Sequence, residues 1–287
     1  MLGFLNVYKP KGKTSHDVVA ILRRVTKIKQ IGHTGTLDPF AEGVLPICIG
    51  KATRLIEYLE DGKAYIGTVQ LGQATDTYDI EGKITETSDK KVSLDDIKKV
   101  LQNYIGDIEQ TPPIYSAIKV GGKKLYEYAR EGKEVEVKSR KVRINEIKII
   151  SFNKDKNLLE LYIDCSKGTY IRSIANDLGI DLGVYGHLIK LVRVKAGKFS
   201  IKNAVPLDEL NTKENVEKYL AEPTDYLPYE KYELDLKEYE KVSHGMNLKL
   251  SNSLFQVGTN VILVQNGALV GIGQFNCGEI KCKKVFI

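Results

Sequence analysis

Cysteine is scarce in this chain: Cys48, Cys165, Cys277 and Cys282 are the only four in 287 residues. Four scattered thiols cannot supply the disulfide framework of a small secreted fold, so reduced thiols are expected. Cys277 and Cys282 lie close together, but without a second pair or a nearby histidine they leave a zinc ion half-coordinated. Histidine is equally sparse, and His16, His33, His187 and His244 include no pair at metal-helix spacing. No metal site is expected. No apolar run approaches the ~18 residues of a membrane span. The opening "MLGFLNVYKPKGKTS" has no basic stretch before its short apolar start, unlike a secretory leader. These absences lead us to expect a cytoplasmic protein with no membrane partner. "GKTS" at residues 12–15 looks like the end of a phosphate-binding loop, yet Val7 stands where the first glycine is needed, so nucleotide hydrolysis is unsupported.

What is present is an ordinary globular composition, 42% hydrophobic and 28% charged, with length for one large domain and a small one. The net charge of +6 is unevenly placed. Residues 232–287 carry six lysines against five acids, so nearly all of the surplus lies earlier. Its densest stretch, "KVGGKKLYEYAREGKEVEVKSRKVR" at residues 119–143, has nine basic side chains against four acids. Basic residues interleaved with tyrosines suit an RNA backbone through charge neutralisation and stacking; a solvated helix and strand face is the competing reading.

"GFLNVYKP" reads as a strand ended by proline. In "SHDVVAILRRVT" the apolar residues recur at helical spacing behind Ser15, the expected cap. Residues 51–61 read as a short amphipathic helix, "KAYIGTVQLG" as an alternating strand and "TDTYDIEG" as a polar turn. Ser93 with Asp96 announces a second capped helix. Residues 123–132 read as a helix, 135–152 and 158–166 as strands, "GTYIRSIANDLG" as a glycine-bounded helix and 186–201 as further strand. Strands and helices mix without a regular βαβ rhythm, which predicts an α+β fold. The polar, proline-bearing stretch at residues 211–235 marks a boundary, giving domains at 1–228 and 229–287. The tail reads as short strands over residues 248–275 with an Asn-Gly hairpin at Asn266 and Gly267. So small a β-rich module is expected to pack against the main body.

The strongest local signal is "GHTGTLDPFAEGVLP", residues 32–46. Its glycines permit positive φ or close backbone approach, and Pro39 biases Asp38 toward an extended conformation. Asp38 could point into a cleft or merely cap the turn. Glu42 lies four residues on, but a glycosidase pair needs carboxyl groups ~5 to 9.5 Å apart across a sugar, usually from separate strands. A single carboxylate suits covalent chemistry at a sugar or base carbon, provided a cation keeps it ionised. Arg172, near the start of the helix in "CSKGTYIRSIANDLG", can supply that cation or can be a surface arginine; Ile171 and Ile174 beside it favour partial burial. Tyr65, on the alternating strand, could stack on a base or fill the core.

"NVYKPKGKTSHDVV", "GHTGTLDPFAEGVLP", "KAYIGTVQLGQATDTYDIEG", "TPPIYSAIKVGGKKLYEYAREG" and "CSKGTYIRSIANDLG" together resemble the tRNA pseudouridine synthase B (TruB) family, in the right order across most of the first 220 residues. The tail resembles the small RNA-binding PUA module of that family. The resemblance implies a mixed, mainly antiparallel central sheet flanked by helices. It also implies cofactor-free isomerisation of uridine 55 in the T stem-loop of tRNA, the base being cut from ribose C1′, turned and rejoined through C5. By the same resemblance Asp38 is the essential aspartate, acting as nucleophile or as base. Tyr65 stacks on the flipped uracil and can assist proton removal, and Arg172 pairs with the aspartate. His33 enters the opened T loop, Lys9 and Pro10 line the pocket at a strand end, and Leu191 forms an apolar wall. The basic segment bearing Lys123 and Lys124 closes over the stem-loop. A guide-RNA-dependent pseudouridine synthase matches the same motifs but carries a larger C-terminal module and basic extensions, against the nearly neutral tail here. An RNA-binding or RNA-folding protein without catalysis is the alternative of another class. With no long apolar surface stretch, a monomer is expected.

Overall fold

Strict alternation in Leu158–Cys165 buries every second side chain, the signature of a strand with one face in the core. That strand belongs to a ten-stranded sheet described by a computed structural model, which covers residues 1–133, 135–250 and 255–287. Residues 134 and 251–254, in the basic segment and the strand-rich tail respectively, lie outside the described residues. Across the sheet run Val205–Pro206, Gly3–Lys9, Glu42–Ile49, Gly186–Ala196, Lys63–Leu71, Leu158–Cys165, Arg140–Asn153 and Gly106–Gln110, with Ile31–His33 and Phe199–Ser200 paired at the side. Only two of these pairings are parallel, Gly3–Lys9 with Val205–Pro206 and Glu42–Ile49 with Gly186–Ala196. The sheet is thus mixed and mainly antiparallel, in an α+β fold. The long strand begins at Arg140, five residues later than periodicity predicts, where pairing with Gly106–Gln110 starts.

Glu42–Ile49 is buried almost end to end because both faces of the sheet are covered there. One face packs beneath the helices Ser15–Thr26 and Ile171–Asp181, through residues such as Leu5, Leu22, Leu45, Ile47 and Ile174. The first helix starts one residue earlier than expected. Thr14 is its cap, accepting from the Asp17 amide at 3.0 Å while Asp17 accepts in return from the Thr14 amide at 2.8 Å. Ser15 is released for another task, described below. The Ser93–Asp96 capping box forms as read from the sequence. Gly50–Tyr58 adopts successive 3₁₀ turns rather than the expected α-helix.

The tail forms a five-stranded sheet containing Asn260–Gln265, Ala268–Asn276 and Glu279–Val285. Asn266 and Gly267 take φ of 51° and 77°, the left-handed pair that a two-residue hairpin demands. Cys277 and Gly278 repeat this at 47° and 79°, so Cys277 is a turn residue. Ile262, Ile272 and Phe286 of the tail enter one apolar cluster with Phe4, Val44 and Cys48 on the second face of the main sheet.

The helix Ile171–Asp181 touches the sheet backbone to backbone. A Cβ on Gly179 would lie 2.1 Å from both the Gly186 nitrogen and the Tyr185 carbonyl carbon. Gly179→Ala is therefore expected to push the helix off the sheet and destabilise the fold by about 1–3 kcal/mol or more, read as a lower denaturation midpoint.

Candidate active site

The loop bearing Asp38 is fastened from several sides, leaving its carboxylate free. Ser15 donates to the Leu37 carbonyl at 3.2 Å and accepts from the Leu37 amide at 2.8 Å, fixing the residue just before Asp38. The Gly12 amide donates to the Pro39 carbonyl at 2.8 Å. The positive φ of Gly12, 83°, belongs to this docking of the "GKTS" turn and not to a nucleotide cradle. Lys9, fully buried, donates from Nζ to the carbonyls of Pro10 at 3.0 Å, Lys13 at 2.5 Å and Pro39 at 3.4 Å. Among the described residues the Asp38 carboxylate caps no backbone turn; its main-chain carbonyl closes the turn instead, accepting from the Ala41 amide at 3.1 Å, and the carboxylate faces Arg172.

Arg172 is the second residue of its helix and only 4% exposed. Gln110 holds the start of that helix, accepting from the Tyr170 amide at 2.8 Å and donating to the Tyr170 carbonyl at 3.0 Å. From there the guanidinium reaches two acids. Asp38 Oδ1 accepts from Nη2 at 3.1 Å, and Oδ2 lies 3.0 Å from Nε as an ion-pair contact without hydrogen-bond alignment. Asp79 Oδ2 lies 3.3 Å from Nη1. The carbonyls of Tyr115 and Thr77 accept at 3.0 and 3.3 Å. Asp79 is itself buried and held by the Thr77 hydroxyl at 2.7 Å and the Glu81 amide at 3.0 Å. The stretch read as a polar turn thus supplies a second counter-charge. Nothing in "TDTYDIEG" separates Asp79 from Asp76, but a buried arginine with five donors needs more than one acceptor group, which was the available signal.

These groups meet in a cavity of about 560 Å³, within the range of small-molecule sites. Asp38, Asp79 and Arg172 line it together with Tyr65 and Leu191 from adjacent strands. Tyr115, Tyr126 and Arg140 line it from the segment around the basic stretch, so that segment forms part of its wall. Asp38 keeps 31% of its side chain exposed, against 4% for Arg172, and so is the partner open to the cavity. Burial pushes the Asp38 carboxyl above its ordinary value, Arg172 pulls it down and the Asp79 charge pushes it up again. Burial likewise raises the Tyr65 phenol, with the nearby Arg193 opposing.

The remaining expected residues are more dispersed. Lys9 is fully buried against the Asp38 loop and is not among the residues lining the cavity; burial lowers it to about 8. Pro10 contributes its carbonyl to Lys9 and is also absent from the lining. His33 packs edge-on to His16 at 6.0 Å, and burial lowers its ring to about 4, so it is neutral at pH 7. Lys123 and Lys124 lie outside the lining. Lys123 pairs with Glu131 and stands 5.0 Å from the Tyr128 ring centre; Lys124 stands 5.3 Å from that of Tyr126. Arg193, missed in the sequence, is 1% exposed in a segment that reads only as further strand.

Removing the Asp79 charge takes away a repulsion felt by Asp38. Asp79→Asn is therefore expected to lower the Asp38 pKa, followed as the ¹³C shift of its carboxyl carbon across a pH series.

Residues 23–171 match the N-terminal domain of TruB family pseudouridylate synthases, and residues 172–227 match the tRNA pseudouridylate synthase B C-terminal domain. The chain is 41% identical over 292 residues to tRNA pseudouridine synthase B of Clostridium novyi (strain NT), covering 100% of both chains. It is 44% identical over 277 residues to the protein of that name from Geobacillus thermodenitrificans (strain NG80-2), covering 92% of this chain and 91% of the relative. A chain in the crystal structure of a Cbf5-Nop10-Gar1 complex shares the fold with a TM-score of 0.74 at 25% identity, over 99% of this chain and 85% of that one. With both matched domains in order and full-length identity above 40%, the chain belongs to the TruB family of pseudouridylate synthases.

Proposed function

We infer that this chain is a tRNA pseudouridine synthase acting on uridine 55 in the T arm. The observation that carries this reading is the Asp38 carboxylate, paired with buried Arg172 and open to a cavity walled by Tyr65 and Leu191. The reaction is an isomerisation. The bond from ribose C1′ to N1 breaks, C1′ joins C5 of the turned base, the C5 proton leaves and N1 regains a proton. No oxidant or energy-rich bond is consumed.

Asp38 is the group for the C1′ side of this change, as nucleophile or as base, and must be ionised to serve. Arg172 favours that form. Tyr65 offers a ring face to the uracil, with Leu191 as an apolar wall, and such contacts offset the few kcal/mol lost when a base leaves its stack. Neutral His33 suits insertion among the bases of the T loop. The basic segment, including Lys123 and Lys124, supplies charge for the stem phosphates. The PUA-like tail, from about residue 229, adds a second RNA contact. We propose a cytoplasmic monomer; no helix among the described residues is long and apolar enough to cross a membrane. The guide-RNA-dependent alternative is the weaker reading: likeness to a chain of a multi-protein complex is at 25% identity, against 41% over the whole of a relative named for tRNA.

Incubation with an unmodified tRNA transcript should yield pseudouridine in the T loop; an unmodified loop would refute the reading. Asp38→Asn should abolish the product and leave tRNA binding intact. Arg172→Lys should be severely impaired, since an ammonium cannot reproduce a planar fork between carboxylates. Because burial raises the Asp38 pKa, activity should be lost on acidification at a pH above the ordinary 3.8. Binding should weaken as salt rises, and a flat response across a salt series would remove the basic segment from the footprint.

A further inference from the structure

Arg193 is the largest fully buried side chain among the described residues, and no carboxylate pairs with it there. A buried cation of that kind is costly unless its donors are all occupied. Its donors go to the Asp38 loop. Nε donates to the Val44 carbonyl at 2.7 Å, Nη2 to the Gly35 carbonyl at 3.1 Å and Nη1 to the Thr36 carbonyl at 3.3 Å. Gly35 and Thr36 lie on the limb of the loop entering Asp38, and Val44 lies on the limb leaving it. One planar fork therefore holds both limbs.

The strand register explains how it can. Gly186–Ala196 lies between Glu42–Ile49 and Lys63–Leu71, placing Arg193 opposite Gly43 on one side and Tyr65 on the other. Tyr65 is thus the cross-strand neighbour of Arg193, and the guanidinium opposes the upward push of burial on the Tyr65 phenol. Gly43 makes this close approach possible: a Cβ there would lie 2.3 Å from the Arg193 carbonyl oxygen. The aspartate loop and the tyrosine strand are not paired directly in the sheet, and Arg193, on the strand between them, is a side chain that reaches the loop while standing opposite Tyr65.

We propose that Arg193 is a positioning residue that sets the Asp38 carboxylate and the Tyr65 ring at a fixed separation. The proposal rests on the tRNA pseudouridine synthase reading. Arg193 lies behind both groups, and it acts through them rather than on the nucleotide. Its loss would let the loop drift from Arg172, which favours ionised Asp38; the other charged groups bearing on that carboxyl are Asp79, Glu81 and Lys9, and Tyr65 is its titratable neighbour.

The test uses Arg193→Lys, which keeps the charge but not the fork, and Arg193→Gln, which keeps two donors but not the charge. Pseudouridine formation is followed in single turnover across pH, alongside tRNA binding. Single-turnover rate constants do not depend on how much of a preparation is folded. A drift of about 1 Å predicts a rate constant lower by roughly 100-fold. It also predicts an acid limb moved to higher pH, because Asp38 loses part of its pairing with Arg172, and unchanged tRNA affinity. Wild-type rates in either variant, or slower rates with the acid limb unmoved, would overturn the proposal. A wild-type protein that forms no pseudouridine would instead refute the reading beneath it, so the two failures are distinguishable.

Discussion

Arg172 sits in the interior with two acids, Asp38 partly exposed to the cavity and Asp79 buried in its wall. The two carboxylates share one guanidinium: Asp79 lies against one terminal nitrogen, while Asp38 takes the other edge and presents its carboxylate to the cavity. Breaking a buried pair by removing one partner costs about 3–5 kcal/mol, because the other is left charged and unsolvated. The arrangement thus ties chemistry to stability. Gln110 and Gly179 set the helix that carries the arginine, so the geometry of the pair is written into the sheet itself.

A second theme is the use of backbone carbonyls to hold cations. Lys9 and Arg193 are both buried without a carboxylate at ion-pair distance among the described residues, and both spend their donors on peptide oxygens around the Asp38 loop. Lys63, on the cavity lining, is lowered to about 8 by burial, with Arg193 adding repulsion. The result is a positive floor behind the carboxylate, electrostatically suited to a polyanionic substrate.

Much of the fold could be read from periodicity. The alternating Leu158–Cys165 strand, the Ser93–Asp96 box and the Asn266–Gly267 turn are local signals, and each formed where local chemistry placed it. What escaped was tertiary. Ser15 was displaced as a cap because Thr14 satisfies the same amide, freeing a hydroxyl for Leu37, twenty-two residues away. Asp79 looked like any turn acid until a buried guanidinium was set beside it. Lys9 is expected at the pocket from the family resemblance of its strand end, and only the folded loop shows its ammonium turned to the carbonyls of Pro10, Lys13 and Pro39. Asp38, Tyr65, Leu191 and Arg172 come from separate segments, and only the sheet order brings them to one cavity.

The cluster joining Phe4 and Val44 to Ile272 and Phe286 links the first strand to the final one. Contacts so distant along the chain are slow to form, since loop closure must precede any gain from burial. Until Ile262, Ile272 and Phe286 are in place, the face of the main sheet bearing Phe4 and Val44 lacks part of its apolar cover, so the folding of the tail and the completion of the main sheet are coupled.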